Sequence, residues 1–315
     1  MVDMFRAMAQ STFLQTDQFA IVTDGLSKKY GENFALKDVS LRVPVGSVFG
    51  FIGPNGSGKT TLIRILVDLI RATSGSAKVF GRDSRHEGVA LRKDIGYLPG
   101  NLVLPPRLNG MQFLTDIAKV RQLDLRDQIS VLADRLDAEL HRPMGDLSLG
   151  NRRKVGMIAA FMHRPRLLIL DEPTGGLDPL VQQSFRQMAR EAADDGRTVF
   201  LSSHVLDEVQ HVSDRVAVVR QGQVISQGLI DELTEKLVRH FQVTFSHPLD
   251  PAMFQAVQHV QAVAVGDEPS ELIFTVSGEA GPLIEALKHC DIVDLRGSEP
   301  DLEDVFLQFY STKSS

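Results

Sequence analysis

The chain has 315 residues, 43% of them apolar, enough for one large and one small core. Its formal charge is −6, from 34 basic and 40 acidic residues, and the basic ones are scattered, which excludes a broad nucleic-acid footprint. A single cysteine, Cys290, excludes an internal disulfide and a thiolate metal cluster, and no apolar run approaches the ~20 residues of a membrane-spanning helix.

Residues 1–18 read as a weakly ordered leader lacking the unbroken apolar segment of a secretion signal. From Ala20 to Val45 apolar and polar residues alternate about a turn, the pattern of a β-hairpin. SVFGFIG is a third strand ending in a glycine-rich turn, and TLIRILVDLI then has helical spacing. IGYL, from Ile95, reads as a short buried strand entering a Pro-Gly-Asn turn. Residues 102–165 read as mainly helical, with Asn109 the N-cap of MQFLTDIAKV and a second helix in DQISVLADRLDAEL. RLLILDEP, the helical LVQQSFRQMAREAADDG, TVFLSSH and DRVAVVRQGQVISQG continue the alternation, which predicts a mostly parallel, covered sheet. After a predicted helix DELTEKLVRH, the run FQVTF, PAMFQAVQ, AVAVGD, ELIFTVSG, PLIEALKHC, DIVDLRG reads as β-α-β-β-α-β, a ferredoxin-like α+β unit closed by a helix DLEDVFLQFY. The expected divisions are 1–18, 19–238 and 239–315.

GPNGSGKT, Gly53 to Thr60, fits G-x-x-x-x-G-K-[ST] between a predicted strand and a predicted helix. Gly53, Pro54, Asn55, Gly56, Ser57 and Gly58 form a loop whose N–H groups can curl around phosphates, and Thr61 follows in the first helical turn. In that setting Lys59 reaches the β- and γ-phosphates and the Thr60 hydroxyl ligates Mg²⁺. The apolar strand Leu167–Leu170 delivers Asp171 and Glu172 at its carboxyl end, where parallel sheets bind ligands. Asp171 suits a Mg²⁺ contact, and Glu172 can orient or deprotonate the attacking water, so a phosphate chain and Mg²⁺ are the expected ligands.

Together with LSLGNRRK (147–154), LLILDEPTGGLDP (167–179) and LSSHVLDEV (201–209), these motifs stand in the order and spacing of one family. Over about residues 20–235 the chain resembles the ATPase subunits of ATP-binding cassette (ABC) transporters. The resemblance implies a P-loop NTPase core of the α/β class, a mostly parallel sheet with an antiparallel β subdomain and a helical subdomain at about 102–165, followed by the small α+β unit. It implies that Ser148 and Gly150 contact the γ-phosphate of ATP bound to another subunit, that Asp178 of GGLD lies at the dimer interface, and that Tyr30 stacks on adenine. His204 then hydrogen-bonds the γ-phosphate and joins Glu172 as the catalytic pair. Leu149 and Asn151 depart from the commonest signature, LSGGQ. Gly100 stands where the family carries Gln or Glu, and neither it nor Asn101 is counted among the metal ligands.

The implied assembly is a head-to-tail homodimer, or a pair with a related ATPase subunit, bound to a separate membrane permease: cytoplasmic, and peripheral on the inner face of the cell membrane. IGYLPGNLVLPPRLNG and EPDLEDVFLQFY resemble the exporter branch that moves drugs, antibiotics, polysaccharides or lipids. A soluble ABC ATPase acting on ribosomes or nucleic acid is the alternative; such members carry two cassettes or long coiled coils, and this chain has neither, so no nucleic acid is expected as a partner. A non-catalytic ATP-binding regulator is opposed by Glu172 and His204. Arg152, Arg153 and Lys154 read as a solvated helix face.

Overall fold

The computed structural model describes residues 18–234 and 238–298, so the leader up to residue 17, residues 235–237 of the predicted helix DELTEKLVRH and the closing helix at 301–310 lie outside the described residues. The chain divides into two compact units, one ending at Gln227 and one beginning at Gly228.

In the first unit β1 (Phe19–Tyr30) and β2 (Asn33–Pro44) form the expected hairpin, turning at Gly31 with φ of 57°. β3 (Val48–Ile52), buried throughout, feeds the glycine loop and α1 (Lys59–Leu66). The helix stops short of Ile70 because Asp68 takes a left-handed φ of 57°. β4 (Ser74–Val79) and β5 (Arg82–Asp83) follow, strands with no counterpart in the sequence reading. SGSAKV is poor in β-branched residues, and β4 exists because the free edge of β1 pairs with it from Ile21–Val79 to Ser27–Ser74.

Next come α2 (Gly88–Leu91) and β6 (Ile95–Leu98). The helical region holds α3 (Gly110–Val120), α4 (Arg126–Leu136) and α5 (Leu149–Phe161). Asn109 caps α3 in a full capping box, accepting from the Gln112 amide at 2.8 Å while Gln112 Oε1 accepts from the Asn109 amide at 3.1 Å. The unit continues with β7 (Leu167–Asp171), α6 (Pro179–Asp194), β8 (Thr198–Ser203), α7 (Leu206–Gln210) and β9 (Arg215–Arg220). A two-residue turn with positive φ at both Gln221 and Gly222 leads into β10 (Gln223–Leu229).

These strands make two sheets, β2-β1-β4-β5 and β10-β9-β3-β8-β7-β6. In the second, β6, β7, β8, β3 and β9 run parallel, and the fully buried β3, β7 and β8 form its centre. Phe200 of β8 packs against Phe49 and Phe51 of β3, with ring centroids 6.0 and 5.7 Å away.

Below the sheet edge, His163 follows α5 with Nε2 3.3 Å from the Ile95 carbonyl. Burial, then the Arg121 charge, push its pKa down to about 4. An unfolded chain takes up this proton near 6.5, so stability is lost as the pH falls from there towards the folded value. His163→Gln should remove that loss, and urea melts should show the variant gaining ~2 kcal/mol on the wild type between about pH 7 and 4.5.

The second unit holds α8 (Ile230–Thr234), β11 (Val238–Phe245), β12 (Val260–Val265), β13 (Glu271–Ser277), α9 (Gly281–Leu287) and β14 (Ile292–Ser298). Its sheet is antiparallel in the order β12-β13-β11-β14, so each strand–connection–strand crossover spans one intervening strand. Phe245, Phe254, Phe274, Val243, Leu283 and Leu287 fill its core. Two expectations change. The predicted helix DELTEKLVRH gives way to strand at Val238, because the alternation of Phe241, Val243 and Phe245 extends backwards. PAMFQAVQ is a single 3-10 turn, Pro251–Phe254, capped by Asp250. Eight residues with one buried anchor, Phe254, are too few to sustain an α-helix.

Among the described residues, no helix is long and apolar enough to cross a membrane.

Candidate nucleotide site

Strand register builds the site. Ile52 lies opposite Ser203, Asp171 opposite Ser202, and Leu98 opposite Leu170, so β3, β8, β7 and β6 release the chain along one edge of the sheet. The glycine loop is wedged at that edge. A Cβ at Gly53 would stand 2.2 Å from the Val219 carbonyl, and one at Gly58 would stand 2.4 Å from that of Ala35. Gly58 also has φ of 107° and caps α1 without a side-chain hydrogen bond, so the first N–H groups of the helix face the loop's concavity. Pro54, Asn55 and Gly56 form the exposed rim, Thr61 is half-buried, and Ser57 Oγ is buried with no partner. The cradle therefore offers backbone donors and an orphaned hydroxyl, the set a polyphosphate uses.

Lys59 is 5% exposed. Its Nζ donates to the carbonyls of Gly53 at 2.7 Å and Pro54 at 3.2 Å and lies 3.5 Å from Glu172 Oε1. Burial lowers its pKa below that of a free lysine, while Glu172 and then Asp171 oppose the shift. Thr60 Oγ1 donates to Asp171 Oδ2 at 2.9 Å, and Ser202 Oγ donates to Asp171 Oδ1 at 2.6 Å. Thr60 and Asp171 thus already meet as a hard oxygen pair, a donor set that would fit Mg²⁺. Among the described residues, no group of three or more His, Cys, Asp or Glu side chains is placed to hold a metal ion.

Glu172 carries the unusual backbone, with φ of 49°. For a residue with a Cβ that costs on the order of 1–3 kcal/mol. Its amide bonds the Ser202 carbonyl at 3.1 Å, and its carboxylate reaches His204 Nδ1 at 3.3 Å. One carboxylate is therefore shared between an ammonium and an imidazole.

The remaining expected residues gather elsewhere. Ser148 caps α5, its Oγ accepting from the Asn151 amide at 3.1 Å, and the helix begins at Leu149. The Asn151 side chain brackets the Glu139 backbone with bonds of 2.9 and 2.8 Å, which gives that departure from the commonest signature a structural use. Asp178 caps α6, accepting from the Val181 amide at 3.0 Å. Ser148, Gly150, Gly176 and Asp178 line a cleft of about 930 Å³ that neither the glycine loop nor Asp171 borders. Tyr30 is 51% exposed at the hairpin end with Lys28 Nζ 4.9 Å from its ring centroid; its partner strand carries the Ala35 carbonyl that crowds Gly58.

Ser202 escaped the sequence reading, and Gly100, Arg153 and Lys154, which it named, take structural places it did not give them. Ser202 holds Asp171; its signal was a hydroxyl at a strand end beside the acidic strand. Gly100 closes on the same carboxylate, since a Cβ there would stand 2.9 Å from Asp171 Oδ2. Arg153 and Lys154 are 7% and 9% exposed, which corrects the expectation of a solvated face. Lys154 Nζ donates to the Asp137 carbonyl at 2.8 Å, joining α5 to the end of α4. Arg153 points instead into the acidic turn, donating from Nε to the Pro173 carbonyl at 3.1 Å and from Nη2 to those of Asp171, at 3.1 Å, and Glu172.

Residues 36–175 match the ABC transporter family. A daunorubicin resistance ATP-binding protein of Streptomyces coeruleorubidus is 34% identical over 308 residues, covering 91% of this chain and 95% of that one. A bacitracin transport ATP-binding protein of Enterococcus faecalis is 29% identical over 297 residues, covering 92% and 96%. A solved structure of the ATP binding subunit of an ABC transporter superposes with a TM-score of 0.64 at 27% identity, over 68% of this chain and 91% of that one. With a phosphate cradle, a hydroxyl–carboxylate pair and a poised glutamate on a fold of that kind, the chain belongs to the ABC transporter family as one of its ATP-binding, ATP-hydrolysing members.

Proposed function

We propose that the chain is the ATPase subunit of an exporter whose permease is a separate polypeptide, and that two such subunits close head to tail around ATP and Mg²⁺ on the cytoplasmic face of the membrane. The observation that carries this reading is the division of the site. Lys59, Thr60, Asp171, Glu172 and His204 cluster at one place, while Ser148, Gly150 and Asp178 line a separate cleft. A two-fold operator lets each cleft face the other chain's cradle.

In this arrangement the N–H groups of the loop and α1 bind the phosphates, and Lys59 exchanges the Gly53 and Pro54 carbonyls for phosphate oxygens. Thr60 and Asp171 would hold Mg²⁺, which would supply charge neutralisation to the phosphates. Glu172 accepts the proton of the attacking water, and His204 fixes that carboxylate's orientation from 3.3 Å. Ser148 Oγ and the Gly150 amide at the start of α5 meet the γ-phosphate held by the partner. Tyr30 supplies an aromatic face for adenine. The antibiotic-related relatives support export of a drug-like compound.

A tagged chain purified from detergent-solubilised membranes should bring down a polytopic protein that stimulates its ATPase. Recovery with ribosomes or nucleic acid instead would replace the transport reading.

A further inference from the structure

The helix α5 carries Ser148 and Gly150 at its N-terminal end and, one turn on, sends the Arg153 side chain the other way. That guanidinium is buried and donates to carbonyls of two separate segments: Asp171, Glu172 and Pro173 in the acidic turn, and Gly100, at 3.5 Å from Nη1, in the loop after β6. All its partners are backbone oxygens, so the cation fixes where the chain runs rather than pairing with one acid. Its charge is balanced at longer range by Glu172, Asp171 and Glu208. At residue 100 no side chain exists to tie loop to acid, and Asp171 Oδ2 fills the space one would need.

We propose that Arg153 is a positioning residue linking the two half-sites of the chain. Displacement of the Ser148–Gly150 end of α5 passes through its planar fork to the Asp171–Glu172 turn and the Gly100 loop. The geometry suits arginine alone: the fork spreads donors over carbonyls on two segments, which a single ammonium on a shorter stem does not reach together. Glu172 benefits most, because its left-handed backbone is a conformation that neighbours must enforce and Arg153 holds its carbonyl.

This inference rests on the proposed two-chain ATPase cycle, and the test separates the two. Arg153→Lys, in the full chain with its membrane partner, should lower kcat roughly 10- to 100-fold, as expected for a misplaced catalytic group, and move KM for ATP less than about twofold. Binding of a fluorescent ATP analogue should be unchanged, because the cradle is untouched. Arg153→Ala should behave alike and recover part of its kcat with millimolar ethylguanidinium, and thermal melts check that both variants are folded. In a double-mutant cycle, Ser148→Ala should cost less in the Arg153→Lys background than in the wild type. Wild-type kcat in Arg153→Lys, or additive losses in the cycle, would overturn the link while leaving the ATPase reading standing. Absence of ATP turnover in the unmodified complex would instead bring down the reading beneath it.

Discussion

Glu172→Gln should reduce ATP turnover by at least ~100-fold while leaving ATP bound, the size expected when a general base is lost. The substitution keeps the side chain's length and one acceptor oxygen, so His204 at 3.3 Å retains a partner. What disappears is a basic carboxylate next to the path of the attacking water. A neutral amide also removes the negative charge 3.5 Å from Lys59, freeing that ammonium for phosphate oxygens. Both changes favour the nucleotide-bound, closed state over its release. Gel filtration with ATP and Mg²⁺ should therefore show a stable dimer in the variant and a transient one in the wild type. Turnover at the wild-type rate would remove Glu172 from its assigned role.

Lys59→Ala should act on binding instead. Lys59 is the only basic side chain bonded to the glycine loop's carbonyls among the described residues, and it sits at the mouth of α1. Losing a desolvated, charge-assisted contact to phosphate costs about 3 kcal/mol, which is roughly a 100-fold weaker Kd. Calorimetric titration with ATP reads this directly. An unchanged Kd would count against the cradle as the phosphate site.

The phosphate cradle and the acidic turn were legible because each is a contiguous run of letters with a demanding context. Gly53 to Thr60 needs a strand before it and a helix after it, and both are present in the pattern of apolar residues. β4 was not legible, since nothing in Ser74–Val79 favours a strand until β1 offers an edge. The 3-10 turn at Pro251–Phe254 was hidden by a helical-looking composition too short to act on it. Arg153 was read as solvated because its role leaves no mark in the sequence: its partners are carbonyl oxygens on two distant loops, and every residue has a carbonyl. The distribution of Ser148 and Asp178 away from Lys59 was implied by family resemblance alone, because spacing along the chain does not say which helix ends share a face.

Gly100 bears on how this chain can change. Asp171 is held in place from two sides, by Thr60 at Oδ2 and by Ser202 at Oδ1, and the position a Cβ would take at residue 100 lies 2.9 Å from Oδ2, the oxygen that Thr60 holds. A mutation that installs any side chain there meets a carboxylate that cannot step aside without releasing both hydroxyls. A substitution at Gly100 is therefore gated: a shift in the Thr60–Asp171–Ser202 trio has to come first. Tolerance at this position is thus set by the two hydroxyls that hold the neighbouring carboxylate.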